Sequence, residues 1–204
     1  MSIVSVNLEN LSESAREEVL RSIAQAEAKP TNPLQGVQDG DTFTIAGMEF
    51  IKFPSTDGGT PIVAKKHLFT SKFGANNDLR QSPILTKLET EVLPKIAEAV
   101  GEENICTIKT DLTTLDGLKP YGSLESKISL PTFDFYRANV DIFDRHKIDR
   151  YFWLATPESA QPHDTPNWVV CVSPSGCIYY YCDGGVGVRP ILILKSTIFD
   201  ASEN

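Results

Sequence analysis

Trp168-Val-Val-Cys-Val172, Ser173-Pro-Ser-Gly176, Cys177-Ile-Tyr-Tyr-Tyr-Cys182 and Asp183-Gly-Gly-Val-Gly-Val-Arg-Pro-Ile-Leu-Ile-Leu194 form the stretch that decides the fold. Two β-branched and aromatic runs flank a Pro-Ser-Gly turn, the pattern of an antiparallel hairpin. With Val172 set opposite Cys177, Trp168 falls opposite Tyr181 and Val170 opposite Tyr179, all on one face. Val169, Cys171, Ile178, Tyr180 and Cys182 take the other face. Neither face is polar, so the hairpin is expected either to be covered on both sides or to leave one aromatic platform exposed. Gly176 serves the turn, and the glycines of 183–187 are expected to supply positive φ to a second tight turn. Val188 to Leu194 then reads as one last strand. Arg189 stands on that apolar strand before Pro190, so it must reach solvent or be buried with its donors matched. A structural role, locking loops to the core, is the reading adopted for it.

Working outward, Tyr151-Phe-Trp-Leu154 reads as a strand with Trp153 inside, and Ala155 to Asn167 as a polar loop with three prolines. Pro131 to Phe143 places Phe133, Tyr136, Val140 and Phe143 at helical spacing, with Thr132 as cap, and predicts a short helix. Residues 102–127 hold turn signals and few apolar runs, a loop-rich excursion with a strand at Ile105 to Ile108. Ser82-Pro83 starts a helix whose apolar face is Leu85, Leu88, Val92, Leu93, Ile96 and Val100, with Gly101 past its end. Pro94 removes a backbone donor in mid-run, so that helix must split or kink near Val92. Thr42 to Phe53 alternates about Gly47 as a hairpin offering Phe43, Ile45, Phe50 and Phe53 to a core, and Gly58-Gly59 turns the chain into a strand at Pro61 to Ala64.

Residues 1–36 differ. Ser14-Ala-Arg-Glu17 has capping-box form and opens a helix over about Ser12 to Ala28, ended by Lys29-Pro30 and followed by a linker. This divides the chain into 1–36, a helix and linker suited to attachment, and 37–204, the main domain. The first residues lack a signal-peptide pattern, which predicts synthesis in the cytoplasm. No apolar run reaches the roughly 18 residues needed for a membrane span. The net charge is −8, with 19 Lys and Arg against 27 Asp and Glu and no basic run, which argues against nucleic acid as a partner. Four cysteines, at 106, 171, 177 and 182, show no Cys-x-x-Cys pair and no histidine at ligand spacing, so they read as reduced thiols and no metal or cofactor is expected.

Trp153-Leu-Ala-Thr-Pro157, Trp168-Val-Val-Cys-Val with Gly176, and Gly187-Val-Arg-Pro190 followed by Ile-Leu-Ile-Leu together resemble an uncharacterised domain common in Firmicutes and their phages. Gly40-Asp-Thr-Phe-Thr-Ile looks like its opening strand and Ser82-Pro-Ile-Leu-Thr-Lys-Leu88 like its central helix, so the resemblance covers about 37–199. The terminal signature is also similar to C-type-lectin-like domains of bacterial adhesins and to formylglycine-generating-enzyme-like folds. The resemblance implies an α+β, C-type-lectin-like domain with short antiparallel sheets and one or two helices, preceded by the N-terminal helix. Within it Trp153, Gly176, Gly187, Arg189 and Pro190 are structural.

Function does not follow from fold alone. An oxidase of the formylglycine-generating kind would need a copper-binding cysteine pair. The lectin likeness directs attention to the 155–167 loop, where Gln161, Asp164 and Asn167 offer oxygen ligands of the type calcium takes. Gln161, His163, Asp164, Asn167, Trp168, Tyr179, Tyr181 and Asp183 are the binding candidates, since aromatic rings and short polar side chains serve both glycan and protein surfaces. His67, His146 and His163 stand beside no nucleophile motif. The expectation is a non-enzymatic surface-binding module in multiple copies on a larger particle. A phage virion protein for capsid decoration or tail adhesion fits, held by its N-terminal segment and facing a host glycan or surface protein. The alternatives are a purely structural assembly protein binding a coat or tail protein, and then the oxidase.

Overall fold

The computed structural model describes residues 12–19, 34–160, 168–178 and 184–200, with 179–181 by their backbone. Within them the architecture is mixed α+β, with short antiparallel sheets. Residues 13–19 are helical (α1), and the cap is Ser12 rather than Ser14: Ser12 Oγ accepts from Ala15 N at 3.4 Å and its carbonyl from Arg16 N at 2.9 Å. The far end of the expected helix, to Ala28, lies outside the described residues.

The hairpin β1 (Thr42–Ile45) and β2 (Met48–Lys52) forms as its alternation requires, turning at Ala46 and Gly47, both at positive φ. Glycine suits that geometry, whereas Ala46 at φ 51° carries a steric cost. β3 (Thr60–Ala64) follows on β2. β12 (Ile191–Leu194) pairs with β3 on one side and with β5 (Ile105–Cys106) on the other, giving one sheet in the order β1-β2-β3-β12-β5. The second sheet runs β10 (Ile178–Tyr181), β9 (Val169–Val172), β8 (Phe152–Pro157), β11 (Val186–Val188), β4 (Phe69–Ser71). Its pairs are antiparallel except β11 with β8. A separate two-stranded sheet, β6 (Ile108–Asp111) with β7 (Ser123–Ser126), orders much of the segment expected to be loop.

Strand residues alternate between two cores. Phe50, Ile62, Leu192, Trp153, Val169 and Cys171 belong to the larger, with Ile84, Leu88 and Ile96 of the helical region 83–100. Their neighbours in sequence, Ile51, Val63, Ile191, Phe152, Val170 and Val172, belong to the other, with Tyr136, Ile142 and Phe143. Continuous apolar strands are what two covered faces require. Each of these large side chains is worth about 1.5–3 kcal/mol on burial.

Ser82 caps α2 (Pro83–Lys87), its Oγ accepting from Ile84 N at 3.2 Å. A single π turn, Leu88–Val92, then leads into α3 (Leu93–Val100) with Pro94 in its first turn. The proline lacks an N–H, and the wider turn absorbs the missing bond where the sequence predicts a break. Gly101 at φ 84° closes the run. Thr132 caps α4 (Phe133–Ala138), but Asn139 leaves helical geometry at φ −126° and the chain restarts as α5 (Val140–Arg145), which leaves Val140 exposed instead of on the apolar stripe.

Two expectations for the terminal block are corrected. The hairpin register is one residue away: Val172 pairs with Ile178, Cys171 with Tyr179, Val170 with Tyr180 and Val169 with Tyr181. The turn spans residues 174–176, because Gly176 at φ 85° adds a left-handed residue and Ser173 N–H then donates to the Cys177 carbonyl at 2.8 Å. A one-residue slip exchanges faces, so Tyr179 and Tyr181 share register with Cys171 and Val169 rather than with Val170 and Trp168. Both faces of β9 are buried. The expected final strand is also two strands in two sheets, β11 and β12, because Pro190 cannot donate to a ladder.

Candidate binding site

The loop expected to carry recognition begins later than its sequence reads. β8 continues through Ala155, Thr156 and Pro157, and Pro157 pairs with Val169. Glu158 N–H then donates to the Trp168 carbonyl at 2.9 Å and closes a neck. Asn77, only 1% exposed, reinforces it: Nδ2 donates to the Ser159 carbonyl at 2.7 Å and to the Trp168 carbonyl at 3.3 Å. The Asn77 Oδ1 accepts from Tyr121 Oη at 2.7 Å, so both ends of this buried amide are used.

From the other side, Ser159 Oγ donates to Asp116 Oδ2 at 2.6 Å, Thr114 Oγ1 donates to the same carboxylate, and Leu115 N–H donates to the Pro157 carbonyl at 2.9 Å. Hydrogen bonds from Ser159 and Thr114 hold the Asp116 carboxyl below its ordinary range. Glu158, Ser159 and Trp168, the described residues beside 161–167, therefore form a neck gripped by two separate connections, one before α2 and one between β6 and β7. Asn77, Asp116, Tyr121 and Ser159 went unread in the sequence. Asn76-Asn77-Asp78 looks like any turn cluster, and no local pattern marks an asparagine whose partners are more than 40 positions away.

Gln161, His163, Asp164, Asn167 and Asp183 lie outside the described residues, and Tyr179 and Tyr181 are described by backbone alone. Trp168 is half-buried and contributes its carbonyl to the neck. The described flanks of the first candidate loop lie at one end of the second sheet, as does Tyr181 ahead of the second loop, whereas the residues that follow the second loop lie at the other end. Pro157 and Val169 mark the first end. Phe152, paired with Val172 and Gly187, marks the other. There Asp149, Arg150, Tyr151, Gly184 and Gly185 border a cavity of about 640 Å³.

The structural candidates meet at the junction of the sheets. Trp153 is fully buried and its Nε1 donates to the Ser71 carbonyl at 2.9 Å. Arg189 is 1% exposed; its guanidinium lies 4.8 Å from the Phe152 ring centre and 5.4 Å from that of Phe143, and Nε donates to the Ala64 carbonyl at 2.7 Å. Burial pulls its pKa down to about 10, so it remains a cation at neutral pH. Gly187 is needed for space rather than positive φ, correcting the sequence reading: a Cβ there would overlap the His67 ring. Gly176 holds its turn and accepts from Tyr136 Oη at 3.2 Å.

Cys171 is buried in the larger core and its thiol is pushed up to about 11 by burial; Cys182 lies outside the described residues. Among the described residues no group of three or more His, Cys, Asp or Glu side chains is arranged to hold a metal, and no helix is long and apolar enough to cross a membrane. Compared with known proteins, the chain matches no family model, no curated protein and no solved structure.

Proposed function

We propose that this chain is a non-enzymatic surface-binding module of C-type-lectin-like type, presented in multiple copies on a larger particle such as a phage virion, for capsid decoration or tail adhesion. The observation that carries the reading is the neck: Asn77 grips both Ser159 and Trp168, and Asp116 holds Ser159 from the opposite side. A loop whose ends are fixed gives up less conformational entropy when it meets a partner, which favours binding by preorganisation. The loop sequence Gln161-Pro-His-Asp-Thr-Pro-Asn167 supplies short polar groups and proline stiffness, the composition of adaptable hydrogen bonding on a restrained backbone.

The N-terminal helix and linker would attach the module, as their separate composition indicates. Particles purified from the source should contain the chain, and deletion of residues 1–30 should remove it from them while the remaining domain keeps its thermal transition. A purified protein that is monomeric and absent from every particle would contradict this. Loss of folding on the deletion would instead assign the helix to the core.

A further inference from the structure

We infer that the small pocket lined by Arg189, Tyr136, Asp144, Ser173 and Gly176 is a site for one resident water, which completes the buried guanidinium and ties it to the far wall. The site lies beside the junction of the two sheets and is independent of the surface-binding reading.

Arg189 brings a charge into the interior at 1% exposure. Its Nε donates to the Ala64 carbonyl at 2.7 Å, whereas Nη2 is buried and has no hydrogen-bond partner among the described residues. The Phe143 and Phe152 rings, with centres 5.4 and 4.8 Å away, attract the cation without supplying an oxygen acceptor. A charged donor buried without an acceptor costs more than a neutral one, so the fold is expected to provide one. Both rings and Arg189 border the same pocket.

The room there has the size of water. About 10 Å³ is open to the centre of a water molecule, enough for one and far below a small-molecule site. The walls supply its partners. Tyr136 Oη donates to the Gly176 carbonyl at 3.2 Å and so keeps its lone pairs for a further donor. A Cβ added at Gly176 would stand 3.4 Å from both Tyr136 Oη and Asp144 Oδ1, so the two acceptors converge on the space the glycine leaves. A water that accepts from Arg189 Nη2 has two protons to give, toward Tyr136 Oη and Asp144, about the three bonds usual for an interior water. It would join the crossing between the sheets to α4 and α5. The other polar groups at the border are engaged: His146 Nε2 lies 2.7 Å from the Gly40 carbonyl, Lys147 Nζ 3.7 Å from Asp144 Oδ1, and Ser173 Oγ 2.9 Å from Ser175 Oγ. The Asp144 carboxylate opposes a halide in this pocket but accepts from water, which selects water as the occupant.

The test is a high-resolution crystal structure of the whole chain grown in sodium bromide, with diffraction measured at the bromine absorption edge. The expected result is one water peak about 3 Å from Arg189 Nη2, in contact with Tyr136 Oη or Asp144 and without anomalous signal. The peak should be lost in Arg189→Met; should that variant not fold, the unsubstituted protein decides alone. In solution, the side-chain N–H groups of Arg189 should show a nuclear Overhauser effect at the water frequency. The effect should persist in Tyr136→Phe, where no exchanging hydroxyl can imitate it. A bromide signal in place of the water overturns the inference in favour of an anion site. A protein acceptor seated directly on Nη2, or no peak at all, overturns it as well. So does a crystal peak without the Overhauser effect, since that water is not resident in solution.

Discussion

Arg189 and Ala64 clasp one another where the two sheets join: the Arg189 Nε donates to the Ala64 carbonyl at 2.7 Å, while Ala64 N–H donates to the carbonyl of Pro190 at 3.0 Å. The chain crosses from β11 to β12 at this point, so one residue of β3 receives both the guanidinium and the backbone of the crossing segment. Lysine can supply a charge there, but neither a planar guanidinium beside the Phe143 and Phe152 rings nor the Nε geometry. Arg189→Lys should cost about 2–4 kcal/mol in urea unfolding. Arg189→Met, which removes the buried charge and keeps the volume, should cost less than Arg189→Lys. A lysine variant as stable as the parent would refute the clasp.

Asn77 tests the neck. Asn77→Ala strands the Tyr121 hydroxyl and the Ser159 carbonyl, and should lower stability by about 1–3 kcal/mol. Native-state proteolysis should at the same time become faster within 160–167. Global destabilisation with unchanged cleavage in that segment would show that Asn77 serves the core and not the loop.

Gly185 and Gly187 stand two positions apart and should respond differently. Gly187→Ala places a methyl group in the His67 ring and should destabilise by about 1–3 kcal/mol. Gly185→Ala faces open space and should stay within about 0.5 kcal/mol of the parent. Comparable losses at both sites in thermal unfolding would contradict the geometry.

These contrasts mark how much was legible beforehand. The β1–β2 hairpin, the Ser82 cap and the break at Pro94 all rest on interactions within a few residues, and their positions follow from the chain locally. The β9–β10 register turned on whether Gly176 is a corner of the turn or an added left-handed residue, and the letters Ser-Pro-Ser-Gly fit both. The last apolar run looked like one strand because nothing local shows that Val188 and Ile191 belong to different sheets; only Pro190 hinted at a break. The neck was illegible for a different reason. Asn77, Tyr121, Asp116 and Ser159 are ordinary turn and loop residues until tertiary structure brings them together, whereas the buried role of Arg189 could be argued from the apolar run around it.

His67 gives the protein a pH dependence. Its ring packs on Gly187 with Nε2 buried and unpartnered among the described residues. Burial lowers its pKa from the ordinary 6.5; the charges of Arg189 and Arg150 add to this and that of Asp149 opposes it. The unfolded chain therefore binds the proton more readily than the folded one. Stability should fall as pH drops below 6.5 and level off, for this group, below the depressed folded value. In His67→Gln the part of the urea-midpoint slope over that window due to this ring should vanish. An identical slope in parent and variant would assign the pH dependence elsewhere.

The thiols should differ in reactivity. Cys177 is exposed, whereas Cys171 is buried with its thiol raised to about 11. Iodoacetamide at neutral pH, read by peptide mass spectrometry, should modify Cys177 and spare Cys171 until the chain unfolds. Rapid native labelling of Cys171 would show that the larger core opens.

The central claim is that residues 160–167, whose flanking residues the neck holds, make the surface contact. The most direct measurement compares binding of the intact chain to source-host cells with that of a variant in which 160–167 is replaced by an equal length of glycine and serine. Loss of cell binding with an unchanged thermal transition is the predicted result. Retention of full binding by the folded variant would contradict it.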